Sequence, residues 1–440
     1  MLNGIWVGMI LIALVVGALR GTLDVVAKAV VEGAAGAVTL ALGLVGIMAL
    51  FLGLMRVLQE GGLLRTVARW LRPVMVRLFP DVPAEHPAMS MMILNFTANL
   101  LGLANAATPF GLKAMSELDK LNPRKGTATN SMVLFLAINT SSLSLFPTGV
   151  IGLRASLGSH SPASIFLTTL VATSISTTVA VVVAKIYIAF TSSAVPVAAA
   201  AASGTAATVA HEVDERVAEA VTALAAESPP VRRSQKLWGW TLVCGVALAF
   251  AWAVWMRAQS DGWFTALRGA SSQWMLLVLI ATFILYGVIR GVKVYDAVVE
   301  GGKEAFAIAL KIIPFLVAIL VAVAMLRGSG ALDLFVRAVA PATTLIGMPA
   351  ETLPMVLLRP LSGSGAYGVA AEIMKAYGPD SLIGTIVSTM QGSSETTFYV
   401  LAVYFGAVQV RDTRFTLAPC LLGEAAGMIA SVWACRLLLF

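Results

Sequence analysis

The chain has 440 residues, of which 58% are hydrophobic and 12% charged, and its mean hydropathy is +0.88. Soluble proteins carry about 25% charged residues, so this composition excludes an ordinary soluble domain. The net charge of +7 is interpreted as a topology signal, because the basic residues lie in loops without interleaved aromatic residues. Nucleic acid is therefore not an expected partner.

Apolar runs that approach or exceed the roughly 20 residues needed to cross a bilayer as a helix recur along the chain. They are Trp6–Leu19, Val38–Met55, Met132–Leu153, Ile165–Phe190, Leu237–Met256, Trp274–Ile289, Ala305–Leu326 and Leu417–Leu439. This pattern predicts an all-α polytopic membrane protein. Met1–Leu19 has neither a basic n-region nor an A-x-A site, so it is interpreted as the first membrane helix and not as a signal peptide.

Two parts of the chain resemble each other. Residues 17–21 read GALRG and residues 287–291 read GVIRG, and VVEG occurs at both 30–33 and 298–301. After each copy come a long helix, an Arg-containing amphipathic stretch, a broken apolar segment, a helix with a polar centre and a final helix. Such an order predicts an internal repeat.

The repeat suggests four units along the chain. We expect a first repeat at 1–190, an Ala/Pro/Glu-rich cytoplasmic linker at 191–236, a linking transmembrane helix at 237–256 and a second repeat at 271–440. One amphipathic helix is predicted within the linker, over 211–226.

The two broken segments are NFTANLLGLANAATPFG (95–111) and RPLSGSGAYG (359–368). Backbone inside a bilayer must be hydrogen-bonded internally, so Gly/Asn/Pro-broken segments are tolerated only against protein or a wet cavity. Met89–Met115 and Thr352–Met374 are therefore predicted to be re-entrant hairpins. With four spanning helices in each repeat and one linking helix, the second repeat is inverted, and nine helices span the membrane. Secondary transporters built this way bind their solute near the midplane.

Polar residues of the hairpins and of the polar-centred helices are predicted to bind that solute. The two polar centres read INTSSLS (138–144) and QGSSETT (391–397). The candidate residues are Asn95, Asn99, Asn105, Thr108, Asn139, Thr140, Ser141, Ser142, Arg359, Ser362, Ser364, Gln391, Ser393, Ser394, Glu395 and Thr396. A mid-bilayer carboxylate is costly, so Glu395 is expected either to pair with Arg359 as a structural ion pair or to couple a proton or cation to transport.

No enzymatic signature is found: there is no P-loop, HExxH, CxxC or G-x-S-x-G motif, and GSGAYG follows no strand. The three cysteines lie in apolar runs, and the three histidines are scattered in loops. Neither an enzyme, nor a metal site, nor a cofactor is predicted.

Several of these motifs also carry a family resemblance. ANLLGLANAATPFGLKAM (98–115) resembles the hairpin of spore maturation protein A, while RPLSGSGAYG, YGPDS (377–381) and QGSSETTFYVLAVYFG (391–406) resemble spore maturation protein B. The chain looks like a fusion of the two, covering nearly all residues outside the linker and Leu237–Met256. The resemblance places it among nucleoside-recognition ("gate") domains, which are related to concentrative nucleoside transporters. It implies that re-entrant hairpins and broken helices hold a solute. In spore formers the two proteins are associated with dehydration of the spore core.

The sequence thus predicts a multi-pass transporter of a small polar or anionic solute in the bacterial inner membrane. Membrane lipid is an expected partner, and a homo-oligomer is compatible with the sequence. Two alternatives stay open: an ion permease or channel, and a non-transporting membrane scaffold that acts in envelope or spore maturation through the 191–236 linker.

Overall fold

A computed structural model describes residues 2–102, 104–191, 233–263, 274–344 and 346–440. Most of the predicted linker, including the helix expected over 211–226, lies outside these residues. Within them the chain is helical and has no β-strand. The helices of the N-terminal part are α1 (Leu2–Arg20), α2 (Leu23–Glu60), α3 (Leu63–Leu78), α4 (Pro87–Leu100), α5 (Ala104–Lys120), α6 (Asn130–Ser141), α7 (Thr148–Ser156) and α8 (Ile165–Phe190).

The C-terminal part repeats this order of helices, with most of them of similar length. After a separate helix, α9 (Arg233–Asp261), come α10 (Met275–Ile289), α11 (Val294–Ser329), α12 (Ala331–Thr344), α13 (Leu353–Leu358), α14 (Gly363–Tyr377), α15 (Leu382–Gly392), α16 (Thr397–Ala407) and α17 (Leu417–Leu438). In each part a short helix precedes a very long one, of 38 residues in α2 and 36 in α11. A short amphipathic helix follows, and then a helix pair with a tight break.

Four helices of the described residues are long and apolar enough to cross a membrane. They lie within Leu23–Glu60, Pro162–Phe190, Trp238–Ser260 and Leu417–Leu438. A fifth candidate is the pair Leu316–Ser329 and Ala331–Ala338, which bends by 80° at its break. The protein is therefore a helical membrane protein, while the count of nine spanning helices stays a prediction.

The two longest helices, α2 and α11, pack side by side and run antiparallel. Near one end, a β-carbon added to Gly53 would lie 2.4 Å from the carbonyl oxygen of Val298. Near the other end, Gly33 packs against Val321 and Ala324. Small residues let the two backbones approach, as is common between membrane helices. The contacts are reciprocal: the VVEG segment of each helix meets the later part of the other.

The arginine of each motif, GALRG and GVIRG, donates a hydrogen bond to the end of the long helix in the other part of the chain. Arg20 Nη1 donates to the carbonyl oxygen of Gly330, at the end of α11, over 3.3 Å. Arg290 Nε donates to the carbonyl oxygen of Gly61, at the end of α2, over 2.6 Å. The last carbonyls of a helix lack intrahelical donors, and a cation there is favourable. The arginine of each motif therefore caps the C-terminal end of the long helix in the other part.

Aromatic packing joins the two parts beside α6. The ring of Phe135 in α6 lies 5.3 Å from that of Phe96 in α4 and 6.1 Å from that of Tyr404 in α16, measured between centroids. Phe135 is completely buried. Such tilted aromatic pairs stabilise a core beyond the area they bury. The polar segments that follow α6 and precede α16 are thus held by a core shared between both parts.

The sequence prediction was wrong about the polar-centred segments, which were each expected to be one helix. Both are interrupted at their polar centres: α6 ends at Ser141 and α7 begins at Thr148, while α15 ends at Gly392 and α16 begins at Thr397. Ser, Thr and Asn side chains compete with the helical ladder for backbone groups, which favours interruption at these residues.

Candidate functional site

The two interruptions meet in space. After α6, Ser142 adopts a left-handed conformation with φ of +31°, and the chain then runs without helical structure to Thr148. The backbone N–H of Glu395 donates to the carbonyl oxygen of Thr140 over 2.8 Å. One carbonyl left free by the end of α6 therefore finds its donor in the other interruption.

The breaks of the two helix pairs α4/α5 and α13/α14 reach the same place. Leu145 N–H donates to Leu100 C=O over 2.8 Å, and Phe398 N–H donates to Pro360 C=O over 3.0 Å. Gly102, with φ of +74°, lies so close to the chain that an added β-carbon would be 2.4 Å from the carbonyl oxygen of Phe146. Only glycine satisfies both the positive φ and this approach. In each part, the helix pair is therefore bonded to its own interruption.

A cavity of about 430 Å³ opens where these elements cross. It is within the size range of small-molecule sites. Its wall is formed by residues of α2, the end of α4, both interruptions, α11 and α14. Its polar side chains are Arg56, Gln59, Asn99, Ser142, Ser144, Thr148, Glu304, Arg359, Tyr367, Gln391, Ser394 and Glu395.

Some of the predicted site residues line this cavity and some do not. Those that line it are Asn99, Ser142, Arg359, Gln391, Ser394 and Glu395. Those placed elsewhere in the surrounding structure are Asn95, Thr108, Asn139, Thr140, Ser141, Ser362, Ser364, Ser393 and Thr396. Asn105 belongs to α5, but its side chain lies outside the described part of the structure.

Several of the predicted residues that do not line the cavity form bonds inside the protein instead. Asn95 Nδ2 donates over 2.7 Å to the carbonyl oxygen of Ala107 and so ties α4 to α5. Ser362 Oγ accepts from Gly365 N–H at 3.0 Å and caps α14. Ser393 Oγ donates back to the carbonyl oxygen of Met390. These contacts support the wall and do not face the cavity.

The predicted ion pair between Arg359 and Glu395 is not formed. Arg359 Nη1 donates to Thr396 Oγ1 and Nη2 to the carbonyl oxygen of Gln391, both over 3.2 Å. The two residues lie at the same interruption, but Arg359 is buried and bonded to the chain there, whereas the Glu395 side chain is exposed. The backbone bond from Glu395 to Thr140 holds that residue on the cavity side.

The wall contains buried polar atoms without a hydrogen-bond partner among the described residues. They are Arg359 Nε, Gln391 Oε1 and Ser394 Oγ. A buried polar atom left unpaired costs about 1–3 kcal/mol, so native proteins leave few of them. Here three occur on residues that line one cavity, although the atoms themselves have almost no exposed surface and Ser394 interacts with the Glu424 carboxylate.

One buried carboxylic acid, Glu424 in the middle of α17, was missed by the sequence reading. It is 1% exposed. Its Oε2 accepts from Thr397 Oγ1 over 2.6 Å, and its Oε1 has no partner among the described residues. The sequence does contain a signal for Glu424, because it is the single acidic residue in the apolar run Leu417–Leu439, and an acidic residue in a membrane segment indicates a functional or paired group.

Arg154 is a second residue that the sequence reading missed. It is fully buried, and its guanidinium bonds Asp380 Oδ1 over 2.8 Å and the Pro379 carbonyl oxygen over 2.6 Å. It also reaches Ser388 Oγ, inside α15. A residue of α7 thus fixes the start of the helix that leads to Gln391. Since Asp380 lies within YGPDS, the bond gives that motif a structural role.

The cavity also has lining residues that were not predicted as site residues. Arg56, Gln59 and Glu304 come from the long helices α2 and α11, and Ser144 comes from the first interruption. Tyr367 donates its hydroxyl to the Gly149 carbonyl oxygen at 3.1 Å and so joins α14 to α7. Among the described residues, no group of three or more His, Cys, Asp or Glu side chains could hold a metal ion.

An all-helical membrane protein with interrupted helices around a polar cavity is the class that these features define. Comparison with known proteins gives the family: the family described as "Gate: Nucleoside recognition" matches residues 41–200 and 309–411. The match covers more than half of the chain, and the chain belongs to this family.

Two relatives come from Bacillus subtilis (strain 168). The chain is 48% identical to spore maturation protein B over 158 residues, which are 36% of this chain and 89% of that protein. It is 44% identical to spore maturation protein A over 176 residues, which are 40% of this chain and 90% of that protein. No solved structure matches the chain. The expected resemblance to both spore maturation proteins is confirmed.

Proposed function

We propose that this protein is a multi-pass transporter of a small polar solute in the bacterial inner membrane, with the solute bound in the cavity between α2, α11 and the two interruptions. One observation carries the proposal: residues from both parts of the chain line one cavity, and three residues of the C-terminal part leave polar atoms unpaired in its wall. Interrupted helices around a midplane site are typical of secondary transporters.

We further propose that residues 1–190 and 271–440 are two inverted repeats, joined by the linker at 191–236 and the membrane helix at 237–256. Three observations support the inversion. The helices α2 and α11 run antiparallel, and their glycine contacts are reciprocal. In addition, Arg20 bonds the end of α11, and Arg290 bonds the end of α2. In the same proposal, the helix pairs α4/α5 and α13/α14 enter the membrane from opposite sides as re-entrant hairpins. Each pair turns beside its own interruption.

The two neighbouring serines of the second interruption provide a matched test of solute binding. Ser393 is fully buried and donates to the Met390 carbonyl oxygen, whereas Ser394 is 3% exposed, lines the cavity and has an Oγ with no hydrogen bond within 3.5 Å, although it interacts with the Glu424 carboxylate. A ligand screen against purified protein, by thermal shift, would include nucleosides, amino acids, peptides and carboxylates. Ser394→Ala should weaken binding of the hit about tenfold, the loss of one good hydrogen bond, and Ser393→Ala should not.

The same pair of variants then tests transport in proteoliposomes. Exchange of the hit across the vesicle membrane should be slowed by Ser394→Ala and left unchanged by Ser393→Ala. Equal effects of both substitutions would contradict a site at this wall. Currents that flow without any organic solute would favour the ion-permease alternative. Loss of the protein's role in the cell on deletion of the 191–236 linker, with solute exchange intact, would favour the scaffold.

A further inference from the structure

Two oppositely charged side chains at the second interruption form no ion pair with another residue that lines the cavity. Arg359 is 3% exposed and has an unpaired Nε, and the carboxylate that acts on it within the protein is the buried Glu424, which does not line the cavity. Glu395 lines the cavity with an exposed side chain, and its carboxylate has no hydrogen-bond or ion-pair partner among the described residues. A buried charge is normally paired, so Arg359 calls for an anionic partner, while the exposed carboxylate of Glu395 is accessible to a cationic one.

The remaining charges of the wall already have partners. Arg56 Nε lies 3.0 Å from Glu60 Oε1, one turn further along α2. Glu304 is also engaged within the protein. Arg359 and Glu395 are therefore the two charges that the cavity offers to a bound molecule, one of each sign.

Both charges belong to one stretch of wall. Arg359 donates to Thr396, the residue that follows Glu395, and to the carbonyl oxygen of Gln391, which precedes the interruption. The first turn of α7, at Thr148 and Gly149, also lines the cavity. The N–H groups of Thr148 and Val150 already donate to the carbonyl oxygens of Phe146 and Pro147, so the attraction for an anion comes from Arg359.

We propose that the cavity takes zwitterionic solutes, small molecules that carry both a carboxylate and an ammonium group, such as amino acids and short peptides. This inference rests on the proposed transport function and specifies its substrate class. The solute carboxylate bonds the guanidinium of Arg359, whose planar fork suits carboxylates. The solute ammonium pairs with Glu395. The amide of Gln391 and the hydroxyl of Ser394 supply neutral bonds between the two.

Solutes of other charge leave one of these groups unpaired. A monocarboxylate would satisfy Arg359 and leave Glu395 facing another negative charge. A simple amine would satisfy Glu395 and leave Arg359 without an anion. An uncharged solute would form an ion pair with neither Arg359 nor Glu395. Rejection of a solute that fails to satisfy a site's polar groups is stronger than rejection by shape.

The test compares four probe mixtures with the purified full-length protein: proteinogenic amino acids with dipeptides, monocarboxylates of similar size, primary amines of similar size, and nucleosides. Thermal shift and native mass spectrometry detect binding. We expect members of the first mixture to bind and the other three mixtures to bind at least about tenfold more weakly. Equal or tighter binding of monocarboxylates, amines or nucleosides would overturn the zwitterion inference and leave the proposed transport function standing. No binding from any mixture, and no solute exchange, would overturn both.

A charge-neutralising variant makes the test specific to the site. Glu395→Gln changes an exposed side chain with no partner, so the protein should fold as before. It should weaken binding of the zwitterion at least about tenfold and bring the monocarboxylate up to a similar affinity, because the repulsion is gone. Glu300→Gln is the control, since Glu300 is an exposed carboxylate of α11 that pairs with Lys303 outside the cavity. Unchanged zwitterion affinity in Glu395→Gln would overturn the inference.

Discussion

Glu395 and Thr140, 255 positions apart in the sequence, share a backbone hydrogen bond of 2.8 Å at the point where two interrupted helices meet. The bond uses a carbonyl that the end of α6 cannot satisfy itself. It therefore stabilises the interruption and also sets the wall of the cavity. Changes that disturb this meeting point should affect binding and stability together.

Gly102 allows the turn between α4 and α5 to touch the first interruption, and Gly102→Ala should destabilise the protein strongly. A β-carbon there would lie 2.4 Å from the Phe146 carbonyl oxygen, at a positive φ of 74°. Gly158→Ala is the control, because Gly158 has φ of +80° and open space around it. We expect a loss of about 1 kcal/mol for the control and about 3 kcal/mol or more for Gly102→Ala. Denaturant titration in detergent measures both, and equal losses would contradict the close approach.

The crossing of α2 and α11 should depend on Gly53 and not on Gly46 of the same helix. A β-carbon at Gly53 would collide with the backbone of Val298, whereas one at Gly46 would meet nothing within 4 Å. Gly53→Ala should lower the unfolding free energy by about 2 kcal/mol, and Gly46→Ala should be neutral or slightly stabilising, because alanine is the better helix former. A neutral Gly53→Ala would argue against the close approach of α2 and α11 at this position.

The buried guanidinium of Arg154 should contribute far more to stability than an exposed one. Arg154→Gln removes its bonds to Asp380, Pro379 and Ser388, and should cost about 3–5 kcal/mol. Arg72→Gln breaks an ion pair with Glu85 in which both side chains are mostly exposed, and should cost less than about 1 kcal/mol. Chemical denaturation in detergent compares the two variants. Similar losses would show that the Arg154 network contributes little.

Much of the helical organisation follows from pattern in the sequence. Apolar runs of sufficient length predict membrane helices, and the GALRG and GVIRG motifs identify two similar parts. The sequence could not show that the arginine of each motif bonds the long helix of the other part. Its partners are the backbone carbonyl oxygens of Gly330 and Gly61, which are distant in sequence and have no side-chain signature.

The candidate site was predicted in part. Residue type identified Gln391, Ser394 and Glu395, since polar groups in a membrane segment must be bonded or functional. Which of several adjacent polar residues faces the cavity depends on where a helix breaks, and periodicity does not fix that position. Ser393 and Ser394 are the same residue type at adjacent positions. Ser393 nevertheless bonds its own helix, whereas Ser394 lines the cavity.

Glu424 should tolerate an amide better than a methyl group. Its Oε2 accepts from Thr397 Oγ1, and Glu424→Gln keeps an acceptor there, whereas Glu424→Ala leaves that hydroxyl unpaired beside a void. We expect Glu424→Ala to cost about 2–4 kcal/mol and Glu424→Gln about 1 kcal/mol or less. Thermal unfolding in detergent measures the difference. If the two variants were equally stable, the bond to Thr397 would be unimportant.

The central claim is that the interruptions enclose an aqueous, solute-binding cavity and not dry packing, and thiol labelling tests it most directly. In a Cys244→Ser background, which removes the exposed native thiol, Ser144→Cys places a thiol in the cavity wall and Ser393→Cys places one in the buried structure beside it. A water-soluble thiol reagent should label Ser144→Cys in membranes, the solute found in the screen should protect it, and Ser393→Cys should stay unlabelled. Absence of labelling at Ser144→Cys, in folded protein with a labelled surface cysteine as positive control, would contradict the account.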